Sequence, residues 1–171
     1  MGMLINQIET ANSLSTIFFI AITLSVIPFY SLMIFAPGTS RTQRIMASLW
    51  PITVPVGIYV LFLLLIVLIL RPDVLGLWRE LYITRGLFNH STVQFLSEMY
   101  GRFPEYATLH GWAHLVVGDM FMARWVFLDA TQRAVKRPIT AVIIALIGFV
   151  GPVGVLVYLL VRRFPAVHSI D

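Results

Sequence analysis

Apolar residues along the chain come in long blocks separated by short polar breaks, and do not alternate with polar ones. Ile17 to Ala36 is free of charge and, as a helix, long enough to cross the roughly 30 Å hydrocarbon core of a bilayer. Asn12 or Ser13 is placed to cap that helix, and Pro28 to kink it. Ser25 and Ser31 stand near enough to satisfy the freed backbone groups. Pro37-Gly38 ends the block, and Arg41 and Arg44 then predict a short polar turn. A second block runs from about Met46 to Leu70, where Arg71-Pro72 stops it. Pro51, Pro55 and Gly57 make its first third irregular. Two further blocks follow, Leu109 to Asp129 and Ile139 to Val161, with Pro138 suited to the first turn of the last helix. The pattern predicts an all-α integral membrane protein with one domain over residues 1–171. Its four transmembrane helices form a bundle, at about 13–36, 46–70, 109–129 and 139–161.

Residues 71–108 form one long polar connection between the second and third helices. Val74, Leu77, Trp78, Leu81 and Tyr82 fall at helical spacing, which predicts an amphipathic helix lying on the membrane interface. Val93 to Tyr100 predicts a second short helix. Such a loop is either a solvated connector or a lid over the polar third helix. Met1 to Ala11 carries no Lys or Arg, unlike the basic start of a secretory signal, so the first block is expected to be retained. The short turns hold Arg41, Arg44, Arg133, Lys136 and Arg137. The positive-inside tendency therefore places both turns on the cytoplasmic side and both termini away from it.

Composition sharpens this picture. Of 171 residues, 58% are hydrophobic and 12% charged, where a soluble domain carries about a quarter charged residues. The net charge of +4 suits anionic headgroups, so membrane lipids are expected partners. No basic run is dense enough to indicate nucleic acid. Cysteine is absent, which excludes disulfides, thiolate metal sites and thiol catalysis.

The third block concentrates the chemistry. HGWAHLVVGDMFMARWVFLD, from His110 to Asp129, holds two histidines, two aspartates and an arginine in a segment otherwise apolar enough to span. A charged residue at such a helix centre costs about 2.5–3.5 kcal/mol on insertion scales. At about 100° per residue, with His110 at zero, His114 lies near 40°, Arg124 near −40° and Asp129 near 100°. Phe121 and Trp125 share the His110 face. Asp119 falls about 180° away, beside Trp112, so Asp119 and Arg124 are not expected to pair within an ideal helix. Each needs a partner on another helix, or Gly118 must distort the chain locally. His110 and His114 sit at i and i+4, a spacing able to chelate one metal ion if Glu98 or Glu105 completed the set. Two histidines alone do not make that site, and no cofactor is expected. The competing reading of all these groups is structural, as buried hydrogen bonds and an interhelical ion network. In the last block, Gly148, Gly151 and Gly154 (GFVGPVG) allow a neighbouring backbone to approach closely, and Pro152 bends the helix.

The run H-L-x-x-x-D-x-F-x-A-R-x-V-x-x-D from His114 to Asp129, followed by G-P-x-G at Gly151 to Gly154, resembles a known family. Its members are small four-span membrane proteins related to the plant abscisic-acid-deficiency protein needed for neoxanthin formation. The resemblance covers Thr108 to Arg163, and the first two spans by plan. It implies a carotenoid ligand and an isomerisation of the kind that turns violaxanthin into neoxanthin, opening an epoxide and creating an allene. That reaction is redox-neutral and proceeds by acid–base chemistry without a cofactor. His114, Asp119 and Arg124 are the right chemical types for base, acid and electrostatic support. His110, Phe121, Trp125, Asp129, Gly151 and Pro152 are the candidate substrate-binding residues around them.

Three function classes follow. The leading one is a membrane enzyme acting on a carotenoid or another long isoprenoid lipid. The second is a non-catalytic pigment-binding or assembly subunit of a larger membrane complex. The third is a proton or small-solute pathway that uses Asp119 and the histidines as a relay.

Overall fold

A computed structural model of the chain describes residues 2–65, 76, 79–80, 97, 100–101 and 104–164. Among these residues the structure is all-α, with six helices: α1 Gly2–Phe35, α2 Ser40–Ala47, α3 Trp50–Leu63, α4 Pro104–Gln132, α5 Arg137–Val150 and α6 Pro152–Val161. The expected interfacial helix over Val74 to Tyr82 and the shorter one over Val93 to Tyr100 fall outside the described residues, apart from single positions.

Helix α1 passes through Asn12 and Ser13 instead of starting there, because no Gly or Pro between Met3 and Ser13 interrupts it. Its stretch Leu14–Phe35 is long and apolar enough to cross a membrane, the one single helix among the described residues that is. Pro28 sits inside the helix and removes the N–H that would bond the Leu24 carbonyl. The Ser25 hydroxyl does not replace that bond; it donates to the Ile22 carbonyl at 2.7 Å.

Where a polar turn is expected, α2 forms. The Thr39 side chain caps it, accepting from the Thr42 amide at 3.2 Å, and this satisfies one of the four donors that a helix start leaves over. Thr42 and Met46, one turn apart, are its buried face. Met46 therefore lies in the last turn of α2. Helix α3 follows after a two-residue break with a bend of 48°, and α2 with α3 makes a second membrane-length candidate if the bent pair counts as one element. The prolines explain the break: Pro51 lies in the first turn of α3, where no N–H is needed, and Pro55 follows one turn later.

Helix α4 is unbroken over 29 residues, about 43 Å, so Gly118 introduces no distortion. Val116, Met120, Ala123, Phe127 and Ala130 are buried at spacings of three and four, the stripe of a packed helix. The last block divides in two. Gly151 adopts φ 45°, a left-handed conformation that an L-residue with a side chain avoids, so the chain breaks between α5 and α6 where a bend is expected. At Gly154 an added Cβ would stand 2.7 Å from the Ile147 amide nitrogen. The close approach foreseen for these glycines thus occurs between α6 and α5 themselves.

The chain divides into two compact units. In the first, Met1–Ala21 with Gly57–Ala113, Phe18, Phe62 and Leu109 form the buried cluster, with the two phenylalanine rings 5.2 Å apart. In the second, Ile22–Val56 with His114–Asp171, the core is built from Met33, Met46, Met120, Ile144, Ile147 and Tyr158.

Candidate active site

Arg124 is held by the end of α2. Its Nε donates to the Met46 carbonyl at 2.7 Å, and one Nη donates to the carbonyls of Ala47 and Ser48 at 3.2 and 3.1 Å. The Ser48 amide and hydroxyl take up the two carbonyls just before these, of Arg44 and Ile45. Every carbonyl from Arg44 to Ser48 is therefore satisfied, and a cation sits at the negative end of a helix. The planar fork of a guanidinium suits a fan of three carbonyls.

Asp119, half-buried on the opposite side of α4, lies against the end of α5. A β-carbon added at Gly151 would stand 2.6 Å from the Asp119 carboxylate, closer than real side chains approach. One turn earlier on α5, a β-carbon at Gly148 would meet the Tyr30 ring at 3.2 Å. Residues three apart share a helix face, so the two glycines receive the Asp119 carboxylate and the Tyr30 ring side by side. The Tyr30 hydroxyl oxygen is sealed from solvent and has no hydrogen-bond partner among the described residues. Asp119 accepts no hydrogen bond among them either. A buried, unpaired donor thus sits near a half-buried carboxylate, and such a donor costs about 1–3 kcal/mol while it stays unpaired.

Asp129 ties α4 to the end of α6. One of its carboxylate oxygens, Oδ2, accepts from Tyr158 at 2.5 Å, from Arg133 Nε at 2.8 Å and from Arg162 Nη1 at 3.0 Å. Arg133 is exposed, and the hydrogen bond to Asp129, then the carboxylate charge, raise its pKa above the ordinary value. The Arg162 guanidinium also lies 5.9 Å from the Trp125 ring centre and 5.7 Å from that of Tyr158. Trp125 and Tyr158 meet edge to face with centres 5.8 Å apart. Two i,i+4 pairs therefore interlock, Trp125 with Asp129 on one helix and Tyr158 with Arg162 on the other.

The remaining candidates are placed separately. The His110 Nδ1 and the Tyr59 hydroxyl are 2.8 Å apart. His114, Phe121 and Pro152 are exposed. The structure thus gathers Asp119 with Gly151, and Trp125 with Asp129, while Arg124 is committed to α2. Sequence reasoning missed Tyr30, Tyr59 and Tyr158. Tyr59 and Tyr158 are lone hydroxyls in apolar runs, and that isolation was the available signal; Tyr30, beside Ser31, offered none. Arg162, just past the last apolar block, is an ion-pair partner of Asp129. A half-open cavity of about 620 Å³, bordered by Gly38, Gln43, Lys136 and Arg137 among others, lies by the polar turns and does not include Asp119.

Among the described residues these features define an all-helical protein in which one long apolar helix, α4, carries Asp119, Arg124 and Asp129. A model of the ABA DEFICIENT 4-like family matches residues 17–158, and the chain belongs to that family. The chloroplastic protein ABA DEFICIENT 4 of Arabidopsis thaliana is 26% identical over 135 residues, covering 79% of this chain. The match covers 56% of the relative, so the chain spans little more than half the length of that protein. No solved structure matches the chain. The family inferred from His114 to Asp129 and Gly151 to Gly154 is therefore the right one.

Proposed function

We propose that this chain is a four-span membrane protein that acts on a carotenoid or another long isoprenoid lipid. In this reading it is a cofactor-independent isomerase working by acid–base chemistry on an epoxide-type substrate, with Asp119 as the group that moves the proton. Helix α1, the bent pair α2–α3, α4 and the broken pair α5–α6 are the four crossings. Membership of the ABA DEFICIENT 4-like family supports the carotenoid link. The observation that carries the chemistry is Asp119 itself. A carboxylate on an apolar helix, without a hydrogen bond among the described residues, has no structural bond to lose by exchanging protons. Arg124, in contrast, serves the fold by closing α2. His114 remains a second proton carrier on another face.

Purifying the protein in mild detergent and recording its visible spectrum, then adding violaxanthin and separating the products, tests this reading. A bound polyene and a product of unchanged mass are expected. A bound polyene that is never converted favours a pigment-binding or assembly subunit. Neither binding nor conversion removes the proposal.

A further inference from the structure

We infer that Tyr30 is the proton donor of the site and Asp119 its acceptor, the pair receiving the oxygen-bearing end of an apolar ligand. This rests on the reading of Asp119 given above and adds a residue from a different helix. Three observations carry it. The Tyr30 hydroxyl is buried and unpaired, although a buried phenol ordinarily finds a partner. The Asp119 carboxylate, its complement, lies one turn along the same face of α5. Gly148 and Gly151 leave out the side chains that would fill the places of the ring and the carboxylate. Gly151 does so in a backbone conformation, φ 45°, that other residues avoid.

A neutral oxygen between these groups is matched to them. An epoxide oxygen accepts from Tyr30, and a C–H on the neighbouring chain carbon faces Asp119. The Tyr30 proton passes to the epoxide oxygen as the bond from that oxygen to the ring carbon breaks. Asp119 takes the proton from the chain carbon, and the electron pair of that C–H bond becomes the new C=C bond. The proton then returns from Asp119 to the tyrosinate, which restores both residues. Nothing is oxidised or reduced, and no co-reactant is consumed. A ligand lacking the oxygen leaves Tyr30 as unpaired as before.

The test uses the full chain in lipid nanodiscs with violaxanthin as the probe. Tyr30→Phe removes only a hydroxyl that has no partner, so the melting temperature should hold or rise. The polyene spectrum and KM should stay near parental, while kcat falls by about 100-fold or more. Parental kcat in Tyr30→Phe, with Asp119→Asn inactive, overturns the role of Tyr30 and leaves that of Asp119 standing. Parental kcat in both variants overturns both. If Tyr30→Phe does not fold, 2,3,5-trifluorotyrosine placed at position 30 keeps the shape and alters the acidity of the phenol. A changed kcat there supports the inference, and an unchanged one overturns it.

Discussion

The Asp119 carboxylate occupies the place that a side chain at Gly151 would need, 2.6 Å from where its β-carbon would stand. Gly151→Ala therefore meets two penalties. The left-handed backbone costs about 1–2 kcal/mol for a residue with a side chain, and the clash displaces Asp119. In a double-mutant cycle, pairing it with Asp119→Ala should recover the clash part and leave the backbone part. Gly118→Ala is the control, since an added Cβ there meets nothing within 4 Å. It should stabilise α4 by about 0.5–1 kcal/mol. Thermal melts of the four variants check the set, and full additivity would mean that Asp119 does not occupy that space.

Arg124→Lys keeps the charge and loses the fork that spans three carbonyls. It should cost about 1.5–3 kcal/mol of stability without loss of ligand binding. Denaturation in mixed micelles measures the first, and the polyene spectrum the second. A stable variant that has lost binding would move Arg124 from the fold to the site.

The helical class, the charged centre of α4 and the divergence of Asp119 from Arg124 were legible because they follow from local periodicity and composition. Family membership was legible in the spacing from His114 to Asp129. What local pattern could not supply is long-range or conformational. Tyr30 in an apolar run looks like any packing aromatic until Gly148 is seen against its ring. Arg162 stands 33 residues from Asp129, so no periodicity joins them. The break at Gly151 depends on a positive φ, while GFVGPVG by itself fits a bend equally well. The turn read at Arg41 and Arg44 is a helix because the Thr39 cap and the buried pair Thr42 and Met46 outweigh its short length.

Asp129 gathers three donors, but they are not equivalent. Tyr158 is buried and Arg162 is stacked on two rings, whereas Arg133 is exposed. Arg133→Ala should be nearly neutral. A cycle of Asp129→Ala with Tyr158→Phe should show a coupling of about 1–3 kcal/mol. Urea melts that give no coupling would make the contact incidental.

The four crossings proposed above would place both termini on one side. The chain has no native cysteine, so single cysteines at Asn6 and Ser169 can be labelled cleanly with an impermeant maleimide in intact vesicles. Both should react from the same side, and labelling from opposite sides would rule out an even number of spans.

The most direct measurement is turnover of violaxanthin by Asp119→Asn, beside its bound-polyene spectrum and its melting temperature. The amide keeps the shape of the carboxyl and removes both the charge and the exchangeable proton. A folded variant that binds the polyene and does not convert it is the expected result. A folded variant that converts it at the parental rate would contradict proton transfer by Asp119, and with it the placing of the active site on α4.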